Sequence, residues 1–312
     1  MKILHISDIH EDSEALAKAL DFASAFCVEH VICTGDLLNT HYTLDGWRRY
    51  ATGSRDNVAF RDHVIGLARE KYEGMKAAFE RAGIPYTVVP GNYEVSCFYD
   101  VFGDRVLHNM WSEFIDVKMA GYGGSPGALP EQASKVIELT SGIRPYTRVM
   151  QGFSEAELSD LLTKEKPKVI MSHTPPYEVL DRTIGGRNKG TGALRIYLDN
   201  TGGTADEVNS VLCGHIHESG PLENNDAGFA GIAKIGNTVV SNAGNLGRFG
   251  LYDGDTCEAV PGLGKGDIGW GTFAILEMTA DGKITKADQF LIRSRDNTKV
   301  VGDVRQIGQY IL

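Results

Sequence analysis

Cysteine is scarce in this chain of 312 residues: Cys27, Cys33, Cys97, Cys213 and Cys257 are the only five. They are scattered, odd in number and form no Cys-x-x-Cys pair, which argues against a disulfide framework and a thiolate zinc site. Positive charge is also in deficit, with 31 Lys and Arg against 41 Asp and Glu, a formal net charge of −10. That balance works against long-range attraction to a polyanion, so a general binder of long nucleic acid or of a membrane surface is disfavoured. Long apolar runs are missing as well; none approaches the ~18 residues needed to span a bilayer. The first residues, Met1 to Asp8, place charges where a signal peptide would carry its apolar core. The expectation is a soluble, cytoplasmic protein.

What is present is ordinary for a folded chain: 42% hydrophobic and 23% charged residues. The length allows two domains at about 150 residues each, yet no repeat or composition break marks a linker. One domain over 1–312 is expected, with a polar insert at 39–56 and a glycine-rich loop at 253–271. Short apolar runs at Lys2–Ser7, Val28–Thr34, Tyr86–Val89, Lys168–Ser172, Val208–Cys213 and Thr238–Ser241 read as buried strands. Helices are expected after Asp12-Ser13, from Asn57 to Gly83, and after a capping box at Ser154 to Glu157. Phe273–Met278 and Lys283–Ile292, joined through Asp281-Gly282, read as a hairpin. This alternation predicts an α/β fold with a largely parallel sheet covered on both faces.

Metal-capable side chains recur where the apolar runs stop. Asp8 and His10 follow the first, Asp36 the second, Asn92 the third, His173 the fourth, and His215 with His217 the fifth. The crevice beyond the carboxyl ends of strands is where α/β sheets bind ligands, so residues distant in sequence can converge there. Each fragment alone has a plainer reading. Asp8 and His10 could cap a helix, Gly35-Asp36 and Gly91-Asn92 could be turns, and His173 could be structural. In Gly214-His215-Ile216-His217 the histidines alternate, so on an extended strand they would point to opposite faces; a tight loop reaching two ions fits better.

Together the blocks Asp8-Ile9-His10, Gly35-Asp36, Gly91-Asn92-Tyr93-Glu94, His173 and Gly214-His215-Ile216-His217 resemble, in order, those of the calcineurin-like metallophosphoesterases. The stretches around His173-Thr174-Pro175-Pro176, Gly192-Ala193-Leu194-Arg195 and His217-Glu218-Ser219 are most similar to the Icc-related microbial phosphoesterases. The resemblance covers roughly 1–247. It implies a layered β-sandwich of mostly parallel or mixed sheets flanked by helices. It implies two divalent transition-metal ions (Mn, Fe, Zn, Ni or Co, with Mn the leading expectation), the first held by Asp8, His10 and His217. The second would be held by Asn92, His173 and His215, with Asp36 bridging. Mixed nitrogen and oxygen ligation suits those metals better than Mg or Ca. Counting +4 from the ions against −2 from the carboxylates leaves an excess of about +2 that suits a phosphate ester.

The implied activity is hydrolysis of a small phosphorylated substrate, a phosphodiester or nucleotide-type compound, through a metal-bridging hydroxide. Two alternatives stand beside it: a nuclease built on the same motifs, or a non-catalytic scaffold that has kept its metal site. The chain departs from the family pattern at Tyr93, where most members carry a histidine thought to assist the leaving oxygen. A phenol of pKa ~10 is a weaker acid than imidazolium, which favours substrates with good leaving groups; alternatively Tyr93 only packs beside the site. Arg182, Arg187, Lys189 and Arg195 could meet a phosphate or form a solvated loop. His5 reads as a packed core residue. Oligomeric state and native substrate are not legible.

Overall fold

A computed structural model describes residues 1–38, 57–126, 151–183, 186–217, 231–247, 270–293 and 304–312. The expected insert at 39–56, with Trp47, Arg48, Arg49, Tyr50 and Arg55, lies outside the described residues, as do Cys257 and all but the last two residues of the glycine-rich stretch. The strands are β1 (Lys2–Ile6), β2 (His30–Cys33), β3 (Tyr86–Val88), β4 (Met110–Phe114), β5 (Val117–Tyr122) and β6 (Val169–Ser172). They continue with β7 (Ser210–Cys213), β8 (Ile232–Ile235), β9 (Thr238–Asn242), β10 (Trp270–Met278), β11 (Ile284–Arg293) and β12 (Val304–Ile311). The helices are α1 (Ser13–Ala25), α2 (Asn57–Ala82), α3 (Cys97–Phe102), α4 (Glu155–Glu165) and α5 (Gly192–Thr201).

The strands form two mixed six-stranded sheets, the layered sandwich that the family resemblance implies, where the alternation alone predicts one largely parallel sheet. Their orders are β12-β11-β10-β1-β2-β3 and β4-β5-β6-β7-β9-β8. Within each sheet the strands that feed the site run parallel: β1-β2-β3 in one and β5-β6-β7-β9 in the other. Antiparallel strands extend them, β10 against β1, then β11 and β12, and in the second sheet β4 and β8. The physical reason for the difference is that fully buried parallel strands read alike whichever sheet they join.

Three apolar cores account for the layering. Ile3, Ile32, Val89, Met119, Met171, Leu212, Val239, Ala274 and Leu276 pack between the two sheets. Leu4, Ile6, Val31 and Cys33, on the alternate positions of β1 and β2, pack against Leu16 and Leu20 of α1 and Tyr72 and Phe79 of α2. Ala120, Tyr122, Ile170, Val211 and Val240 face Leu158 and Leu162 of α4 and Leu194 and Leu198 of α5. The result is a helix–sheet–sheet–helix sandwich. Burying a Leu or Ile side chain contributes about 1.5–3 kcal/mol, so each core is a substantial part of stability. His5, on the inter-sheet face of β1, hydrogen-bonds across to Ser241 Oγ of β9 at 3.0 Å and to Thr34 Oγ1 at 3.3 Å.

Asp12 caps α1, its carboxylate accepting from Ala15 N at 3.0 Å. At α4 the expected box is half present. Ser154 Oγ accepts from Glu157 N at 3.3 Å, but the Ser154 N–H donates to Tyr122 Oη at 3.2 Å. That hydroxyl in turn donates to Glu157 Oε2 at 2.9 Å. Tyr122 of β5 has therefore inserted itself between the two members of the box and ties the helix to its sheet.

Candidate metal centre

The site straddles both sheets at the carboxyl ends of their parallel strands. Asp8, Asp36 and Asn92 follow β1, β2 and β3; His173 and His215 with His217 follow β6 and β7. Tight backbone knots present these side chains. Asp8, His10, Asp36 and His215 all lie in the left-handed region, with φ of 52, 46, 52 and 66°. Each such conformation costs on the order of 1–3 kcal/mol unless its surroundings enforce it. Here they do: Asp8 N donates to Gly35 O at 2.8 Å, His10 N to Asp36 O at 3.0 Å, and His215 N to Asp8 Oδ2 at 2.9 Å. The left-handed turn at His215 is what lets a His-x-His pair face two places.

Two clusters result. In the first, His217 Nε2 lies 3.0 Å from both Asp8 Oδ1 and His10 Nε2, and His10 Nε2 lies 3.7 Å from Asp8 Oδ1. In the second, His173 Nε2 lies 3.0 Å from Asn92 Oδ1 and 3.4 Å from Asp36 Oδ2, with the His215 ring centroid 5.0 Å away. Asp8, His10 and His217, and separately Asp36, His173 and His215, each place one donor atom within 4.8 Å of the others. The chemistry of these sets fits cations. His10 Nδ1 faces Leu38 O at 3.0 Å and His173 Nδ1 faces Thr34 O at 2.7 Å. A carbonyl only accepts, so Nδ1 carries the proton in each neutral ring and Nε2 turns a lone pair inward. Lone pairs of nitrogen and carboxylate oxygen thus converge within each cluster and repel one another. Only a cation or a proton relieves that repulsion.

Burial and neighbouring charges compete in setting the ionisation of these groups. Burial alone would depress His173, but the Asp36 charge and hydrogen bond reverse this and raise it to about 9. Burial would raise Asp8, yet hydrogen bonds from His10 and His217 hold it well below the usual carboxylate range. Burial and then the neighbouring His173 charge press His215 down to about 3.

Glu94, left undefined by the sequence as a partner or cap, has a clear place. It is fully buried, and its carboxylate accepts from Gly91 N at 2.5 Å, Asp36 N at 3.2 Å and Leu37 N at 2.6 Å. It laces the β2 loop to the β3 loop and so sets Asp36 beside Asn92. Burial and the Asp36 charge raise it to about 8. The Tyr93 N–H donates to Asp36 Oδ1 at 2.9 Å, while its ring packs edge-on against His10, centroids 5.5 Å apart. Arg182, Arg187 and Lys189 are exposed on a small hairpin pinned by an Arg182–Asn188 bridge. Arg195 is occupied by Asp199 at 2.9 Å.

The chain belongs to the calcineurin-like phosphoesterase family, whose model matches residues 1–219. It is accordingly a metal-dependent phosphoesterase, of a family that uses two divalent ions. No curated protein sequence matches the chain. Among solved structures one matches with a TM-score of 0.61 at 16% identity, over 94% of this chain and 99% of its own. TT1561 of Thermus thermophilus matches with a TM-score of 0.53 at 15% identity, over 94% and 99%. A dimetal phosphatase from Danio rerio matches with a TM-score of 0.49 at 11% identity, over 93% and 95%. The first two likenesses concern the fold. No helix among the described residues is long and apolar enough to cross a membrane.

Proposed function

We propose that the protein is a dinuclear phosphodiesterase acting on small or nucleotide-type phosphate esters. The observation that carries this reading is the pair of clusters, Asp8, His10 and His217 in one and Asp36, His173 and His215 in the other, with Asn92 joined to His173. When bound, two divalent ions supply an acidified water as nucleophile and neutralise the phosphoryl oxygens. The chain's own part is geometric. Asp36, the bridge that the family resemblance implies, is held in place, its backbone locked by Glu94 and one carboxylate oxygen by the Tyr93 N–H. Asn92, joined to His173, adds a neutral amide oxygen to that cluster and no negative charge that would repel a phosphate. Tyr93, beside His10, stands in the sequence where most family members carry the histidine thought to assist the leaving oxygen. A phenol does this weakly, which favours diesters and aryl esters over alkyl monoesters.

The mixed donor set suits Mn, Fe, Co, Ni or Zn, and Mn is the first to test. Free thiols at Cys27, Cys33, Cys97 and Cys213 fit a reducing compartment such as the cytoplasm. The test is a screen of phosphorylated metabolites and aryl phosphodiesters with Mn, Ni and Zn, beside an Asp36→Asn control. Turnover of diesters that disappears with Asp36→Asn is the expected result. Turnover that survives in Asp36→Asn, or none with any metal, contradicts the reading.

A further inference from the structure

Three of the four clustered histidines are placed by an obvious device, and the fourth is not. His10 and His173 are each pinned through Nδ1 to a backbone carbonyl and turn Nε2 inward. His217 meets Asp8 and His10 through Nε2. His215 is held the other way round: its Nε2 lies 2.9 Å from Ser125 Oγ. The nitrogen left to face the Asp36–His173 cluster is therefore Nδ1. Ser125 stands outside every motif that marks the site in the sequence.

The serine does not depend on an ion for its position. It follows β5 by three residues, and the stretch that carries it is clamped from several directions. Gly123 N–H donates to His108 Nδ1 at 2.9 Å, Gly124 N–H donates to Pro90 O at 2.9 Å, and Thr174 Oγ1–H donates to Gly124 O at 2.9 Å. Gly124 takes φ +83°, and a Cβ there would press on Gly152 O at 2.7 Å. Ser125 itself is 3% exposed, so water does not compete for its hydroxyl. The same hydroxyl reaches Pro126 O at 3.4 Å, a group that only accepts. With its proton turned to that carbonyl, Ser125 Oγ offers a lone pair to the His215 nitrogen facing it, the arrangement that a protonated Nε2 completes.

We infer that Ser125 is a positioning residue for the second metal: it accepts the Nε2–H of His215, and so fixes the tautomer and ring orientation that offer Nδ1 to the ion. The inference rests on the two-metal reading above and adds to it a residue that touches no ion. A hydrogen-bonded partner on the far nitrogen of a metal-binding histidine is worth about 10- to 100-fold in metal affinity.

The test uses the full chain loaded with zinc. Metal content and chelator competition should show two ions per chain in the unaltered protein. Ser125→Ala should lose about 10- to 100-fold in affinity for one of them while the other is unchanged, and Ser125→Thr, which keeps the hydroxyl, should restore it. Long-range proton–nitrogen spectra of the unaltered zinc protein give a readout that needs no variant: His215 should show a protonated Nε2 and a metal-bound Nδ1. Affinities for both ions unchanged in Ser125→Ala, whether or not its KM rises, overturn the inference, as does a metal-bound Nε2 on His215. Binding of fewer than two ions by the unaltered protein would instead sink the two-metal reading. In that case the Ser125 contact is still judged by the same spectra of the metal-free protein, where Nε2–H on His215 supports it and Nδ1–H overturns it.

Discussion

Replacing Gly91 by alanine adds a single methyl group at the most crowded point of the site. A Cβ there would overlap Oδ1 and the backbone nitrogen of Asp36, with Cγ only 2.6 Å away. Asp36 has nowhere to go. Its Oδ1 takes the Tyr93 N–H, its N–H goes to Glu94, and its Oδ2 faces His173. Gly35, at φ +101°, borders the same spot: a Cβ there would lie 2.5 Å from Gly91 N. Overpacking of this kind costs about 1–3 kcal/mol. Displacing the carboxylate also forfeits a hydrogen bond to a charged acceptor, about 1.5–3 kcal/mol. A loss on the order of 3–5 kcal/mol is expected, which lowers Tm by several degrees, together with loss of at least one bound metal. Gly66→Ala and Gly74→Ala are the controls: both glycines lie exposed in α2 with nothing within 4 Å of the added carbon. These should leave metal content unchanged and gain about 0.5–1 kcal/mol from helix propensity. Thermal melts and metal analysis of the three variants read both effects. A Gly91→Ala protein with unaltered Tm and two ions would refute the reasoning.

Tyr93→His should raise turnover of alkyl esters relative to aryl esters by about tenfold or more, since an imidazolium is the better acid; an unchanged ratio in steady-state assays would leave Tyr93 with packing only. His5 is held neutral by burial, its pKa lowered to about 3, and His30 and His108 are lowered to about 4 for the same reason. Their unfolded value is near 6.5, so the unfolded chain binds more protons and stability drains away as pH falls from 6.5 towards 4. For His5 this amounts to about 1.4 kcal/mol per pH unit, and His5→Asn should flatten the acid limb of a urea-denaturation series by that slope. Ser154→Ala removes the cap on α4 and should cost about 1 kcal/mol with activity retained, measured by the same denaturant series.

The parts of the site that could be read from the letters share one trait. Asp8, Asp36, Asn92, His173 and His215 each stop an apolar run, so the sequence itself marks them as strand ends on the ligand-binding side. Glu94 could not be read that way: the Asp36 and Leu37 N–H groups that it accepts are more than fifty residues upstream, and only the packing of β2 against β3 brings them to it. Ser125 is hidden for the same reason, ninety residues from His215. In the fold, the β4–β5 hairpin escapes notice because its turn sets Ile115, a β-branched residue, at φ 58°, where glycine or asparagine is the usual signal. The β8–β9 hairpin did carry such a signal, Gly236-Asn237 between two short apolar runs. Ser154 and Glu157 were legible as a cap, whereas the insertion of Tyr122 between them depends on tertiary contact.

Anomalous diffraction from crystals grown with manganese bears most directly on the two-metal centre. Two peaks about 3.5–4 Å apart are predicted, one among Asp8, His10 and His217 and the other among Asn92, His173 and His215, with the Asp36 carboxylate between them. A single peak, or peaks away from these side chains, would contradict the account.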